Sequence, residues 1–165
     1  MYVPRHFSLP EDYTRRLLAS PRRGNLVTVH DHGPEASLVP FYYDEAAGAL
    51  ITHLVRNNPQ ARQPLAHPTG LVILDEADAY VSPGMYATND VLPNVPTWDY
   101  ITLHVSGRVR IDPSPAAALE ASIRLTEAMG DGTTLDAVGQ EKLERMSRAI
   151  VAVSVEATTV RGKAK

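Results

Sequence analysis

The feature that most constrains the fold of this chain is the long run from Trp98 to Ile111, in which apolar and polar side chains alternate. Successive side chains of an extended strand point to opposite sides, so a period of two predicts one β-strand with a single buried face. The buried face would hold Ile101, Leu103, Val105, Gly107, Val109 and Ile111. A strand of this length can bend around a closed sheet.

Shorter strands precede this run, and most helical segments lie late in the chain. Apolar runs bounded by turn residues predict further strands. They are Asn25–His30, Glu35–Tyr43, Ala49–Leu54, Leu71–Leu74, Ala79–Ser82 and Ile150–Val160. Leu71–Leu74 and Ala79–Ser82 are either two separate strands or one bent strand. Helical spacing and capping residues predict helices over Leu9–Ser20, from Asn58 toward Ala66, from Ser114 to about Gly130, and over Leu135–Arg148. This order predicts a single α+β domain, residues 1–165, on an antiparallel sheet that closes.

Two connecting segments are interpreted separately. The acidic stretch Asp75–Asp78 is typical of a solvated turn, which we favour over a cation site. Pro83–Pro96 is a long loop of the kind that often serves as a lid or binding element.

Charge and composition narrow the functional classes. A protein that holds DNA by itself relies on Lys and Arg to neutralise phosphates, so a net charge of −3 argues against direct DNA binding. The absence of cysteine excludes disulfides, thiolate metal sites and cysteine nucleophiles. Without a signal segment or the roughly 20 apolar residues of a membrane span, we predict a cytoplasmic protein with no membrane partner.

The segment Thr52–Gln60 carries the first candidate site. His53 and Arg56 stand where a strand gives way to a helix that begins at Asn58 and Pro59. A helix start offers backbone N–H groups and partial positive charge, and a nearby guanidinium would complete a phosphate cradle. A capped helix with a surface arginine would explain the same residues, so both interpretations stay open.

The start of the long strand carries the second candidate site. Trp98, the only tryptophan, follows Thr97 and lies on the same strand face as His104. The indole could stack on a planar ring or plug the end of the barrel, and the imidazole could be a hydrogen-bonded structural group or a base. No nucleotide-loop, hydrolase or metalloprotease motif occurs, so we predict no metal site and name no catalytic residue.

Several segments in order resemble the PaiB-like family of FMN-binding negative transcriptional regulators. They are Met1–Phe7, Glu35–Pro40 (EASLVP), Thr52–Gln60 (THLVRNNPQ), Ala79–Pro83 (AYVSP), Val95–Tyr100 (VPTWDY) and Arg161–Lys165 (RGKAK). The resemblance implies a split β-barrel, antiparallel and Greek-key-like with peripheral helices, that forms a homodimer with FMN at the subunit interface.

The resemblance also implies which residues contact the cofactor. The matched positions are Ser37, Pro40, His53, Arg56, Asn58, Thr97, Trp98 and His104. Within this set, the resemblance places His53, Arg56 and Asn58 at the phosphate and Pro40 and Trp98 nearer the ring.

Three functions stay open at this point. The first is a flavin-binding protein, either a small oxidoreductase acting on a small molecule or a redox-sensing regulator. The second follows from haem-dependent piperazate synthases, which resemble the same family and form an N–N bond; His53 or His104 would then ligate the iron of haem b. The third is a cofactor-free dimeric binding module, favoured by Leu38 in place of the family's His and Asp99 in place of its Asn.

Overall fold

A computed structural model of the chain describes the backbone of residues 1–165 and all side chains except those at positions 134 and 136. Its centre is a closed antiparallel barrel. The strands are β1 (Arg22–His30), β2 (Gly33–Asp44), β3 (Ala49–Val55), β4 (Thr69–Val81), β5 (Thr97–Asp112) and β6 (Ile150–Ala164). They close in the order β1-β2-β3-β6-β5-β4, so the last strand lies between β3 and β5.

The alternation in the long run is confirmed by the packing of β5. Leu103 and Val105 are fully buried inside the barrel, where they meet Phe41, Val72 and other core residues. Gly107 is required where β5 meets β6, because a Cβ there would stand 2.1 Å from the carbonyl oxygen of Glu156. Glycine at this position therefore lets the backbones of β5 and β6 approach closely at the register shift between them.

The barrel is split between β2 and β3. These strands pair only through Tyr42–Asp44 and Ala49–Ile51 and then diverge. The short helix α2 (Pro59–Arg62) contributes to filling the gap, since its buried Gln60 donates from Nε2 to the carbonyl oxygen of Leu26 at 3.1 Å. The predicted α+β split barrel is thus confirmed.

The other helices lie at one end and on one side of the barrel. Helix α1 (Glu11–Ala19) inserts Leu17 and Leu18 into the core. The remaining helices, which follow β5, are α3 (Pro115–Ala128), α4 (Gly132–Val138) and α5 (Gln140–Ser147). These three form a cover over the outer face of β3 and β6 and over the end of β2 at Asp44, and the outer face of β1, β4, β5 and the rest of β2 stays open. Among the described residues, no helix is both long and apolar enough to span a membrane.

Several predicted boundaries are wrong. Asp75–Asp78 is not a turn but part of β4, which is one bent strand with a bulge between Asp75 and Ala77. Beyond Leu74, the strand leaves the barrel with the start of β5 as an exposed two-stranded arm, and charged side chains suit such a ribbon because water reaches it.

Helix and strand ends differ as well. The helix predicted over Leu135–Arg148 is interrupted at Gly139, whose φ of 79° lies outside the helical region, giving α4 and α5. Strand β6 continues past Val160 to Ala164 because it goes on pairing with β5 as far as Ile101. The helix predicted from Asn58 toward Ala66 ends at Arg62.

Candidate functional site

The predicted site residues lie in three separate places. Ser37 and Asn58 meet at the split of the barrel, where Asn58 Nδ2 donates to Ser37 Oγ at 2.9 Å. His53 lies on the outer face of β3 under the helical cover. Trp98 and His104 share an open groove on the outer face of β4 and β5. One chain therefore does not bring the whole predicted set together.

The helix start at Asn58 has its N–H groups already paired. Asn58 Oδ1 accepts from the N–H of Gln60 at 2.9 Å, and its carbonyl oxygen accepts from Ala61 and Arg62 at 2.9 and 3.1 Å. Pro59 has no N–H. The backbone donors that the sequence assigned to a phosphate cradle are therefore not free, which corrects that part of the hypothesis.

Gln60 is a buried polar residue beside Asn58 that the sequence analysis did not single out. Its side chain is 1% exposed, and Nε2 also donates to Thr28 Oγ1 at 2.8 Å and to the carbonyl oxygen of Glu35 at 3.1 Å. Its Oε1 is buried without a partner among the described residues. The amide thus links α2 to β1 and β2. The N-P-Q motif marks Gln60 in the sequence, but its contacts cannot be predicted from the motif because they are made by strands distant in sequence.

Arg56 has a structural role that its sequence position does not reveal. Its guanidinium donates from Nε to the carbonyl oxygen of Arg148 at 2.9 Å, and from Nη2 to those of Pro113 and Ile150 at 2.8 and 2.9 Å. It thereby ties the end of β3 to both ends of the helical cover. The N–H groups of Nη1 make no hydrogen bond with any described residue, so a charged donor remains there.

His53 lines a pocket of about 370 Å³ between β3 and the helical cover. The apolar lining comes from Leu119, Leu135, Val138, Leu143, Met146 and Ile150. Nδ1 of His53 is buried without a partner in the part of the chain that the structure describes. Burial lowers the pKa of His53, because removal from water disfavours the charged imidazolium.

The open groove, of about 400 Å³, contains the half-exposed indole of Trp98. Trp98 Nε1 donates to Asp78 Oδ1 at 3.1 Å, which orients the indole on the arm. Burial and then the N-terminal ammonium lower the pKa of His104, while the carboxylate of Asp75 opposes them. The groove thus presents an indole and a partly desolvated imidazole beside two carboxylates.

Two further predicted residues, Thr97 and Pro40, lie near the open groove or elsewhere on the outer surface of the sheet. Thr97 Oγ1 contacts Lys165 Nζ, which also donates to the carbonyl oxygen of Trp98 at 3.0 Å. Pro40 is exposed on the outer face of β2, directly opposite Arg23 of β1. Lys165 is a second residue that the site hypothesis missed.

Trp98 and Arg56 lie toward opposite ends of β5. Trp98 stands at its start, whereas Arg56 contacts Pro113, one residue after its end. At about 3.3 Å per residue, the strand between them has a contour of roughly 45 Å. A mononucleotide is much shorter than this contour, so the chain holds the two side chains far apart along β5.

The chemistry of the two ends fits different parts of FMN. The open groove offers flat side chains, but Asp75 and Asp78 would repel a phosphate, so it suits a planar ring. At the other end, Arg56 keeps a free amino group that suits an anion. Among the described residues, no group of three or more His, Cys, Asp or Glu could hold a metal ion.

Comparison with known proteins gives both sequence and fold matches. The model of the family described as "Putative FMN-binding domain" matches residues 1–159. Protease synthase and sporulation protein PAI 2 of Bacillus subtilis is 25% identical over 171 residues, which cover 100% of this chain and 81% of that protein.

Solved structures share the fold. The flavocytochrome Anf3 from Azotobacter vinelandii superposes with a TM-score of 0.74 at 12% identity, covering 99% of this chain and 72% of that one. The FAD and haem binding protein from Mycobacterium smegmatis gives a TM-score of 0.66 at 16% identity, covering 96% and 72%. At these identities the likeness shows a common fold.

Proposed function

Since this chain belongs to the family described as "Putative FMN-binding domain", we propose that it is a homodimeric flavoprotein that holds FMN between two copies and acts as a small oxidoreductase. The match to PAI 2 confirms the PaiB-like resemblance and supports FMN as the cofactor. The net charge of −3 argues against a regulator that holds DNA by itself.

The observation that carries the proposal is the open groove of Trp98 and His104 on the uncovered outer face of the sheet. An indole that is 52% exposed leaves a flat apolar surface in water, and such surfaces mark ligand or protein contacts. Tyr80 lies beside it, with ring centroids 6.1 Å apart. A planar ring that stacks there would remove this apolar area from water.

The separation of the two ends of the site along one chain supports a role for a second copy. With Trp98 and Arg56 toward opposite ends of β5, two chains running past each other would place an indole and a guanidinium on one molecule of FMN. The open face also carries Leu38, 56% exposed, and the arm loop carries Val91 and Val95, 89% and 78% exposed. Apolar side chains this exposed support a contact with another copy.

In this proposal each residue has a distinct part. Trp98 packs on the cofactor ring and shields it from water, and Arg56 Nη1 donates to the phosphate. His104 is kept largely neutral near pH 7, so its imidazole can accept a proton beside the ring. Bound FMN supplies transfer of a hydride or of single electrons.

The test is titration of the purified protein with FMN and with riboflavin, which lacks the phosphate. We expect visible flavin absorption and quenching of Trp98 fluorescence on binding. Trp98→Ala should weaken both ligands about two- to tenfold, the range of an aromatic stacking contact, with Trp98→Phe near the parent.

Arg56→Ala should weaken FMN only and remove its preference over riboflavin, while Arg145→Ala on exposed α5 serves as the matched control. Failure of both flavins to bind, or a Soret band on haem addition without flavin binding, would contradict the proposal.

A further inference from the structure

The pocket under the helical cover, here called the cover pocket, is separate from the open groove and has no part in the proposed flavin site. Its floor is the outer face of β3 and its roof is formed by α3, α4 and α5. Its volume of about 370 Å³ lies within the range of small-molecule sites. Its contents are therefore a separate question from flavin binding.

The polar groups in the pocket wall are almost all committed to the helices that carry them. Ser122 Oγ donates to the carbonyl oxygen of Ala118, and Thr126 Oγ1 to that of Ser122, each at 2.8 Å. Ser147 Oγ donates to the carbonyl oxygen of Glu144 at 2.8 Å. These hydroxyl protons are used, so none of the three side chains is free to donate to a ligand.

His53 is the exception in this wall. Its Nδ1 is buried without a partner in the described part of the chain, and a buried polar atom normally has one. Desolvation keeps the ring neutral at pH 7, and a neutral imidazole has one nitrogen that accepts a hydrogen bond. The pocket thus offers a single hydrogen-bonding ring in apolar surroundings.

Two side chains of the lining favour an aromatic body over an aliphatic one. The thioether of Met146 can contact a ring edge, a favourable arrangement for sulfur. The ammonium of Lys142 is exposed, makes no ion pair with any described residue, and can lie against a ring face. An aromatic ring would therefore gain contacts that a saturated chain would not.

From these four features we propose that the cover pocket binds a small phenol, with the ring among the leucines and the hydroxyl hydrogen-bonded to His53. The hydroxyl donates to the imidazole, and the ring contacts Met146 and Lys142. The site does not require FMN, because its lining includes none of Trp98, His104 and Arg56.

The test compares two probes that differ only in the hydroxyl, 4-propylphenol and propylbenzene, by calorimetric titration of the full chain with and without FMN. We expect 4-propylphenol to bind about tenfold more tightly, the equivalent of one net hydrogen bond. His53→Phe should reduce that ratio to about one, while His6→Phe, outside the pocket, should leave it unchanged. Val138→Trp, which fills the pocket, should abolish binding of both probes.

A second readout does not depend on the folding of a variant. In the unsubstituted protein, the ¹⁵N resonances of the His53 ring should shift with 4-propylphenol and not with propylbenzene. Equal affinities for the two probes, or a tenfold ratio that persists in His53→Phe, would overturn the proposal. A Soret band on haem addition that His53→Phe loses would also overturn it. Flavin titrations of the same samples report on the other proposal separately.

Discussion

The outer surface of this barrel has two halves that differ in what covers them. On the covered half, over β3 and β6, α3 presents Ala118, Ala121 and Leu125 inward, and none is more than 5% exposed. On the open half, over β1, β4, β5 and most of β2, Leu38 and Trp98 are 56% and 52% exposed. Buried apolar side chains lie beneath both halves, so the difference arises from where the helices after β5 pack.

This difference separates the apolar surface that the chain buries by itself from the apolar surface that remains for contact with another molecule. The cover buries apolar area against the chain's own strands and leaves a pocket lined by His53. The open half leaves apolar side chains in water, which is expected where a second copy or a cofactor binds. Two histidines with pKa values lowered by burial thus sit in opposite settings, His53 enclosed and His104 in a groove.

The largest expected effect comes from placing one carboxylate on each half of the outer surface. Ala118→Asp buries a carboxylate under the cover without a partner and should lower the free energy of unfolding by about 3–5 kcal/mol. Ala36→Asp, exposed on β2, should change it by less than about 0.5 kcal/mol in the monomer but should block dimer formation. Urea titrations and sedimentation at matched protein concentration measure both. A dimer that persists unchanged in Ala36→Asp would show that the open half is not an interface.

A smaller effect is expected at the arginines of the two halves. Arg56→Ala removes three hydrogen bonds that hold the ends of the cover and should cost about 1.5–3 kcal/mol. Arg23→Ala on the open half should cost less than about 0.5 kcal/mol. Urea unfolding gives both values, and hydrogen exchange should show faster exchange in α3 and α5 for Arg56→Ala alone. If Arg56→Ala left the free energy of unfolding unchanged, Arg56 would not hold the ends of the cover.

The barrel could be predicted because its strands have recognisable local sequence patterns. Alternation over Trp98–Ile111 lies within observed β5, and the predicted Ile150–Val160 lies within β6. Such patterns depend only on which face of one strand is buried. Asp75–Asp78 was misread because an exposed arm requires no alternation, and its four charged or small residues resemble a turn.

The site could be predicted only as a set of residues, not as an arrangement. Asn58 and Ser37 were both named, but their hydrogen bond depends on β2 diverging from β3, a feature of register. The three carbonyl partners of Arg56 lie on segments 57 or more positions later. The position of His53 under the cover depends on how α3 packs, which hydrophobic periodicity and secondary-structure propensity do not predict.

The dependence of stability on pH should distinguish the two histidines. A histidine whose folded pKa is lowered stabilises the protein above its unfolded pKa, here 6.5, and that contribution is lost as pH falls through the folded value. His53→Phe should therefore flatten the loss of stability on acidification below pH 6.5. His104→Phe should flatten it less, since Asp75 partly offsets burial there. Urea midpoints across this range measure it, and identical profiles for parent and His53→Phe would refute a buried neutral imidazole.

The smallest expected effect is spectroscopic and concerns the open half alone. Trp98 is the only tryptophan, and it is half exposed in one chain, so its emission reports directly on what covers that half. If two copies meet there, dilution should shift the emission to longer wavelength as water returns to the indole. Leu38→Glu should show the diluted spectrum at every concentration, because a carboxylate on the open face cannot be buried against a second copy without a cost. Lys142→Glu, exposed on the covered half, should follow the parent, and a parent spectrum that does not change with concentration would mean that no second copy reaches Trp98.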